Sequence, residues 1–191
     1  VKKLVPKSAK EYKRLQKIFA GGYTHANQMY SGKVVDEFIE HYDFASSYPT
    51  VMIAEKYPMS AWYYNGVNKI PDESEFENTA FIFCLEFQNI RSISFNTYIQ
   101  TSKCTGTGFR FDNGRLIEAE TMEITVTEQD WLTIKHNYEW DHLNVRKVYR
   151  SDKGYLPRPF LQYILELYGN KTSLKGVPGQ EDLYLQSKQY I

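Results

Sequence analysis

Residues 79–87 place Phe81, Phe83, Leu85 and Phe87 at every second position. Successive side chains of a strand point to opposite faces, so this spacing puts four large apolar groups on one side. A strand of that kind needs neighbours and a covering layer. The surrounding stretch, 78–126, reads as a run of strands. Residues 97–101 are expected to form one. Phe109-Arg110-Phe111, Asp112-Asn113-Gly114 and residues 115–119 read as a hairpin, because Asn-Gly supplies two positive φ angles. Residues 122–126 are expected to be a further short strand. Aromatic residues make up 16% of the chain. That content suits a β-rich core and also suits surfaces that stack on bases or sugars.

Helices flank the β-rich block. Ser8-Ala9-Lys10-Glu11 reads as a capping box, and Tyr12, Leu15, Ile18 and Phe19 follow at helical spacing, so 9–20 is expected to be a helix. Gly21-Gly22 would stop it through positive φ. A strand is expected from 34 or 35 to 44, ending at Asp43 and Phe44. A short helix should follow over 50–56, with Pro49 in its first turn. Thr127 should cap a helix of about ten residues, with Glu128 and Asp130 at its positive end. Residues 143–149 read as a returning strand and 159–167 as an apolar helix. A Gly-, Lys- and Pro-rich linker spans 169–179, and 181–191 should be a final helix.

The 191 residues carry 23 basic and 23 acidic side chains, for zero net charge. Neutrality argues against a strongly basic free-standing DNA-binding domain but leaves room for a local basic groove. Cys84 and Cys104 lack zinc-ligand spacing, and nothing requires an oxidising compartment. The histidines at 25, 41, 136 and 142 share no metal spacing. No apolar run reaches about 18 residues and no signal-peptide pattern opens the chain, so the expectation is a cytoplasmic protein without a membrane partner. The first residue is Val1 rather than Met, which points to a processed product or a piece of a longer chain.

The chemistry concentrates in Asp43-Phe44-Ala45-Ser46-Ser47-Tyr48-Pro49. A carboxylate at a strand end projects from a rigid element, as a metal ligand should. The N–H groups of Ser46, Ser47 and Tyr48, at a turn entering a helix, could converge on an anion such as a triphosphate. The plainer alternative is an Asp that caps a turn and a Tyr in the core. Gly21-Gly22 likewise has a plain reading as a helix stop, and Lys188 as a solvated lysine.

The order of these segments resembles family B DNA polymerases. Asp-x-x-Ser-x-Tyr-Pro is similar to motif A of that family, with Ser47 where Leu is usual. The resemblance implies that Asp43 ligates catalytic magnesium, that the Phe44 carbonyl contacts the ion bound by the triphosphate, and that Tyr48 stacks under the deoxyribose and rejects a ribose. Ser46 and Ser47 would bind the nucleotide. Upstream, Phe19-Ala20-Gly21-Gly22-Tyr23 resembles the Tyr-x-Gly-Gly motif that touches the template strand, with Phe19 replacing the first Tyr. Lys188-Gln189-Tyr190-Ile191 resembles the start of motif B, whose lysine binds the triphosphate. Lys171 is the basic residue placed before it, with Lys175 the other choice.

Between Asp43 and Lys188 lie 144 residues, more than ordinary members of the family use. The protein-primed branch carries an extra terminal-protein region there. The resemblance implies an α+β fold: a partial polymerase palm over 1–57, an inserted β-rich subdomain over 58–155, and helices leading to the fingers over 156–191. It implies template-primer DNA, dNTP and a terminal priming protein as partners. A second metal-carboxylate motif, Tyr-x-Asp-Thr-Asp-Ser, does not occur in the chain, so the chain alone is expected not to polymerise. The contrasting reading is a non-catalytic module that binds DNA or a priming protein.

Overall fold

The computed structural model describes residues 5–24, 28–44, 46–64, 66–95 and 97–191, with Gln28 by its backbone alone. Ala45 of the motif and His25 lie outside the described residues. In chain order the elements are α1 (Ala9–Ile18), α2 (Ser47–Ala54), β1 (Tyr57–Pro58), β2 (Tyr63–Tyr64), β3 (Thr79–Ser92), β4 (Cys104–Thr107), β5 (Arg110–Asp112), β6 (Arg115–Thr127), α3 (Glu128–Asn137), β7 (Tyr138–Glu139), β8 (His142–Gly154), α4 (Arg158–Ser173) and α5 (Glu181–Tyr190). Helices and antiparallel strands make the chain α+β. It divides into two compact units: residues 1–37 with 60–152, and 38–59 with 153–191.

The first unit is built on β3, which pairs antiparallel with β6 along one edge and β8 along the other. Phe81, Phe83, Leu85 and Phe87 are fully buried on one face, as the alternation demands. Helix α3 covers them through Trp131, which meets Phe83 edge-on at 6.5 Å, and Trp140, just after β7, meets Phe87 edge-on at 5.1 Å. Such pairs add about 0.5–1.5 kcal/mol beyond simple area burial. Ile82, on the opposite face, is also fully buried. Its ladder partner Tyr149 lies under the Arg14 guanidinium of α1, 3.5 Å from the ring centre.

Several expectations meet the structure directly. Asn113 and Gly114 both take positive φ in the β5–β6 turn. Thr127 and Asp130 form a complete capping box on α3. The buried Glu128 carboxylate accepts the Phe81 N–H at 2.8 Å, satisfying a donor at the start of β3.

Others are corrected. Residues 115–119 and 122–126 are one strand, β6, because both halves pair with β3 on either side of the irregularity at Asn89, which has φ 51°. Residues 97–101 form an isolated bridge, Gln100 to Arg115, instead of a strand. The reason is the buried Tyr138 phenol. It accepts the N–H groups of Tyr98 (3.0 Å) and Ile99 (3.2 Å) and donates to the Leu116 carbonyl (2.7 Å), so those amides need no ladder. Burial pushes this phenol above its ordinary pKa, so it keeps the proton it donates.

Helix α1 ends at Ile18, where Phe19 turns to extended backbone. Gly21 and Gly22 do not take positive φ, and a Cβ on either would meet nothing. Ser8 accepts the Glu11 N–H, but the Glu11 carboxylate turns to the Lys7 N–H, so the box is only half made.

In the second unit, α2, α4 and α5 pack with Ile164, Leu167 and Pro49 buried, and β1 pairs with the last two residues of β8. The expected strand over 34–44 is absent: this stretch is irregular, and Phe38, Tyr42 and Phe44 are each more than 80% exposed. Its apolar spacing has no ladder partner among the described residues, and a strand without a partner leaves its amides to water. Helix α2 starts three residues earlier than expected, so Tyr48 and Pro49 lie in its first turn. Helix α4 runs through Gly169 to Ser173, which shortens the linker. An exposed helical glycine costs only about 1 kcal/mol, so packing at Ile164 and Leu167 outweighs it.

Ser46 enters α2 in the left-handed region, φ 52° and ψ 47°. Its carbonyl accepts both the N–H (3.1 Å) and the hydroxyl (3.0 Å) of Thr50. Two stability predictions follow from these geometries. Tyr138→Phe should cost about 1–3 kcal/mol in urea unfolding, because two buried amides and a carbonyl lose their partner. Ser46→Val should cost about 1–3 kcal/mol, since a β-branched residue resists positive φ, whereas Ser46→Gly should change stability by less than about 1 kcal/mol.

Candidate active site

In the second unit, Asp43, Phe44 and Ser46 lead into the start of α2, which Ser47, Tyr48 and Pro49 begin. Ser46 is the N-cap and offers no side-chain cap to the helix. Ser47 and Tyr48 are its first two residues, so their N–H groups are among the amides a helix start leaves without an intrahelical partner. Pro49 has no N–H. The Tyr48 ring is 76% exposed rather than in a core. Asp43 and Phe44 precede the turn in irregular, exposed backbone.

Lys171, in the last turn of α4, donates from Nζ to Ser46 Oγ at 3.1 Å. Its charge is favourable for α4, since cations stabilise a helix C-terminus. For α2 it is unfavourable, since it adds a positive charge beside the positive end of that helix. The corner is therefore electropositive, and a bound anion would satisfy both components. The contact also separates the two lysine candidates. Lys171 reaches the motif, while Lys175 is exposed in the turn after α4. Lys188 is exposed in the last turn of α5, with no hydrogen bond or ion pair to the corner among the described residues.

Asp43 does not make a magnesium site by itself. Among the described residues no group of three His, Cys, Asp or Glu could hold a metal ion. Magnesium takes a near-octahedral oxygen shell, and one carboxylate with the Phe44 carbonyl does not furnish it.

The Gly-Gly segment belongs to the first unit. Phe19 is exposed, and Gly21 and Tyr23 line a cavity of about 60 Å³ together with Tyr98, Arg115 and Asp130. The Tyr23 hydroxyl donates to the Thr97 carbonyl at 3.2 Å. The Arg115 guanidinium lies 4.8 Å from the Tyr23 ring centre and donates to the Tyr98 carbonyl at 2.8 Å. Arg115 is only 7% exposed. Sequence reasoning missed it, because an arginine after an Asn-Gly turn carries no local mark of burial. The left-handed Ser46 and the packing of α4 on α2 were equally invisible.

A family profile for DNA polymerase type B, organellar and viral, matches residues 1–188. Comparison with curated proteins found no match. Among solved structures, the phi29 DNA polymerase complexed with primer-template DNA and incoming nucleotide substrates is similar, with TM-score 0.63, 17% identity, 86% of this chain covered and 28% of that one. Phi29 DNA polymerase with primer-template DNA matches at TM-score 0.61 and 16% identity, covering 87% and 27%. An orthorhombic crystal form of phi29 DNA polymerase matches at TM-score 0.60 and 16% identity, covering 87% and 28%. The chain thus spans under a third of the length of the polymerases it matches, and its fold is that of a part of them. On the match over residues 1–188, the chain belongs to the type B DNA polymerases of the organellar and viral family.

Proposed function

We propose that this chain supplies the nucleotide-binding corner of a DNA-directed DNA polymerase. The observation that carries the reading is the Lys171 ammonium held at the N-terminus of α2. The reaction would join a primer 3′-oxygen to the α-phosphorus of a dNTP, breaking the bond to the β-phosphate and releasing pyrophosphate. In this reading the Ser47 and Tyr48 amides and Lys171 bind triphosphate oxygens, with Ser46 orienting the ammonium. Tyr48 lies under the deoxyribose and excludes a 2′-hydroxyl. Lys188 is a second triphosphate contact. Phe19, Gly21, Gly22 and Tyr23 contact the template strand.

Asp43 and the Phe44 carbonyl contribute to holding magnesium. Two-ion phosphoryl transfer needs further carboxylates, so the chain alone is expected not to polymerise. Residues 58–155 form the inserted terminal-protein region of a protein-primed enzyme, between a partial palm at 1–57 and the finger-leading helices at 156–191. Template-primer DNA, dNTP and a priming protein are the partners this implies. The phi29 structures, which hold primer-template DNA and nucleotide, support the first two. Among the described residues no helix is long and apolar enough to cross a membrane.

The test uses the complete polymerase that contains this chain, in primer extension. Tyr48→Ala should lower discrimination against ribonucleotides about tenfold or more, and unchanged discrimination would remove Tyr48 from its role. Lys171→Met should raise the dNTP KM about tenfold, the scale of one charge-assisted hydrogen bond. Asp43→Asn should lower kcat about a thousandfold, as loss of a group that stabilises transition-state charge does. Metal-dependent incorporation by the isolated 191-residue chain would contradict its expected inactivity.

A further inference from the structure

Residues 19–24 follow α1 and belong to no helix or strand. Gly21 and Gly22 make no backbone hydrogen bond among the described residues, and a Cβ on either would meet nothing. The glycines therefore do not hold themselves in place. Tyr23 supplies anchors beside them. Its hydroxyl donates to the Thr97 carbonyl at 3.2 Å, and its ring centre lies 4.8 Å from the Arg115 guanidinium carbon.

Arg115 is itself firmly placed. It opens β6 directly after the Asn113-Gly114 turn, opposite Asp112, and bridges to Gln100. The Thr101 N–H donates to the Gly114 carbonyl at 3.0 Å and the Leu116 N–H to the Ile99 carbonyl at 2.8 Å, so 99–101 lies along 114–116. From that base the side chain is 7% exposed and donates to the Tyr98 carbonyl at 2.8 Å. No carboxylate pairs with it among the ion pairs of the described residues. Asp130 lines the same cavity, but its oxygens accept the Tyr98 hydroxyl at 2.5 Å and the Thr127 N–H and hydroxyl at 2.9 and 2.7 Å. A buried cation without an ion pair is costly. The Tyr23 ring and the Tyr98 carbonyl are what offset that cost here. A planar guanidinium can lie over a ring and donate from its edge at the same time, which an ammonium does not do.

We propose that Arg115 is a positioning residue for the Gly21-Gly22-Tyr23 segment, acting through the Tyr23 ring and touching no nucleic acid itself. The role rests on the reading of that segment as a template contact and deepens it. The β-rich block, through Arg115 and the Thr97 carbonyl, is then the support on which the segment is set. Arginine at the start of β6 is required for its shape as well as its charge, and the mild exposure of Tyr23 leaves one side of the ring free for the segment's own work.

The experiment uses the complete polymerase that contains this chain. Arg115→Met should raise the KM for primer–template about tenfold, the scale of one charge-assisted hydrogen bond, with dNTP KM and kcat at saturating primer–template within about twofold of the parent. Arg115→Lys should behave like Arg115→Met, because it keeps the charge and loses the planar fork. Trp131→Phe, a core change away from the segment, should lower Tm and leave all three constants unchanged. Without DNA, hydrogen exchange at the amides of residues 21–23 should be about tenfold faster in Arg115→Met than in the parent. The slope of log affinity for a labelled primer–template against log salt should stay at the parent value. A slope smaller by about 0.9 would mean that Arg115 meets a phosphate directly, and full recovery by Arg115→Lys would mean that charge alone acts; either result overturns the proposal. So does parent-like exchange and primer–template KM in Arg115→Met. Tyr23→Ala separates the two readings. A raised primer–template KM there with a parent-like Arg115→Met removes the positioning role alone, whereas a parent-like KM in Tyr23→Ala removes the template-contact reading and the positioning role with it.

Discussion

Strand β3 is the member on which the first unit depends. It pairs with β6 along one edge and β8 along the other, while Phe81, Phe83, Leu85 and Phe87 carry the core. Each of these buried side chains is worth about 1.5–3 kcal/mol in removed apolar surface. The other elements of the unit take their places from it. Helix α3 covers the aromatic face, and its Glu128 closes the Phe81 amide near the start of the strand. The Tyr138 phenol then ties the irregular 97–101 stretch to β6 through hydrogen bonds that substitute for a ladder.

Sheets of this kind bury one face and leave the other for solvent or a partner. Here the second face is shared. Tyr149 and Ile82 lie on the side where α1 packs, and the rungs beyond hold Thr125, Cys84 and Lys147 and then Thr105, Glu123 and Glu86. The helix is attached mainly through polar groups, with Lys103 on a main-chain carbonyl and Arg14 on a ring. That attachment leaves a cleft instead of a second core. The zero net charge of the chain is thus an average over an uneven surface.

In the second unit, electrostatics set the character of the corner more than packing does. Two positive features, the start of α2 and the Lys171 ammonium, are held together by the Ser46 hydroxyl. Ser46 adopts a backbone conformation that non-glycine residues adopt at some cost. The nearness of the two is unfavourable for the bare protein and favourable once an anion is present. Tyr48 is exposed beside them and does not fill a core.

Local signals in the sequence were enough for the elements whose causes are local. The alternation at 79–87, the Asn113-Gly114 turn, the Thr127 cap and the helical spacing of 159–167 each specify their structure through neighbours a few residues away, and each was legible. The resemblance of Asp43–Pro49 to motif A was legible in residue order, which left Lys171 and Lys175 as alternatives. What depended on distant partners could not be read. The apolar spacing of 34–44 suggests a strand, yet no ladder partner exists for it among the described residues, so it stays irregular. Residues 97–101 lost their strand to a phenol about forty positions away. The Lys171 contact with Ser46, the burial of Arg115 and the lysine-lined cleft between α1 and the sheet all arise from elements meeting across long stretches of chain. Local sequence by itself determined the β3 alternation, the Asn113-Gly114 turn and the Thr127 cap; only the tertiary structure decided which expected strands find partners and which charges stand together, because both depend on packing and not on neighbours along the chain.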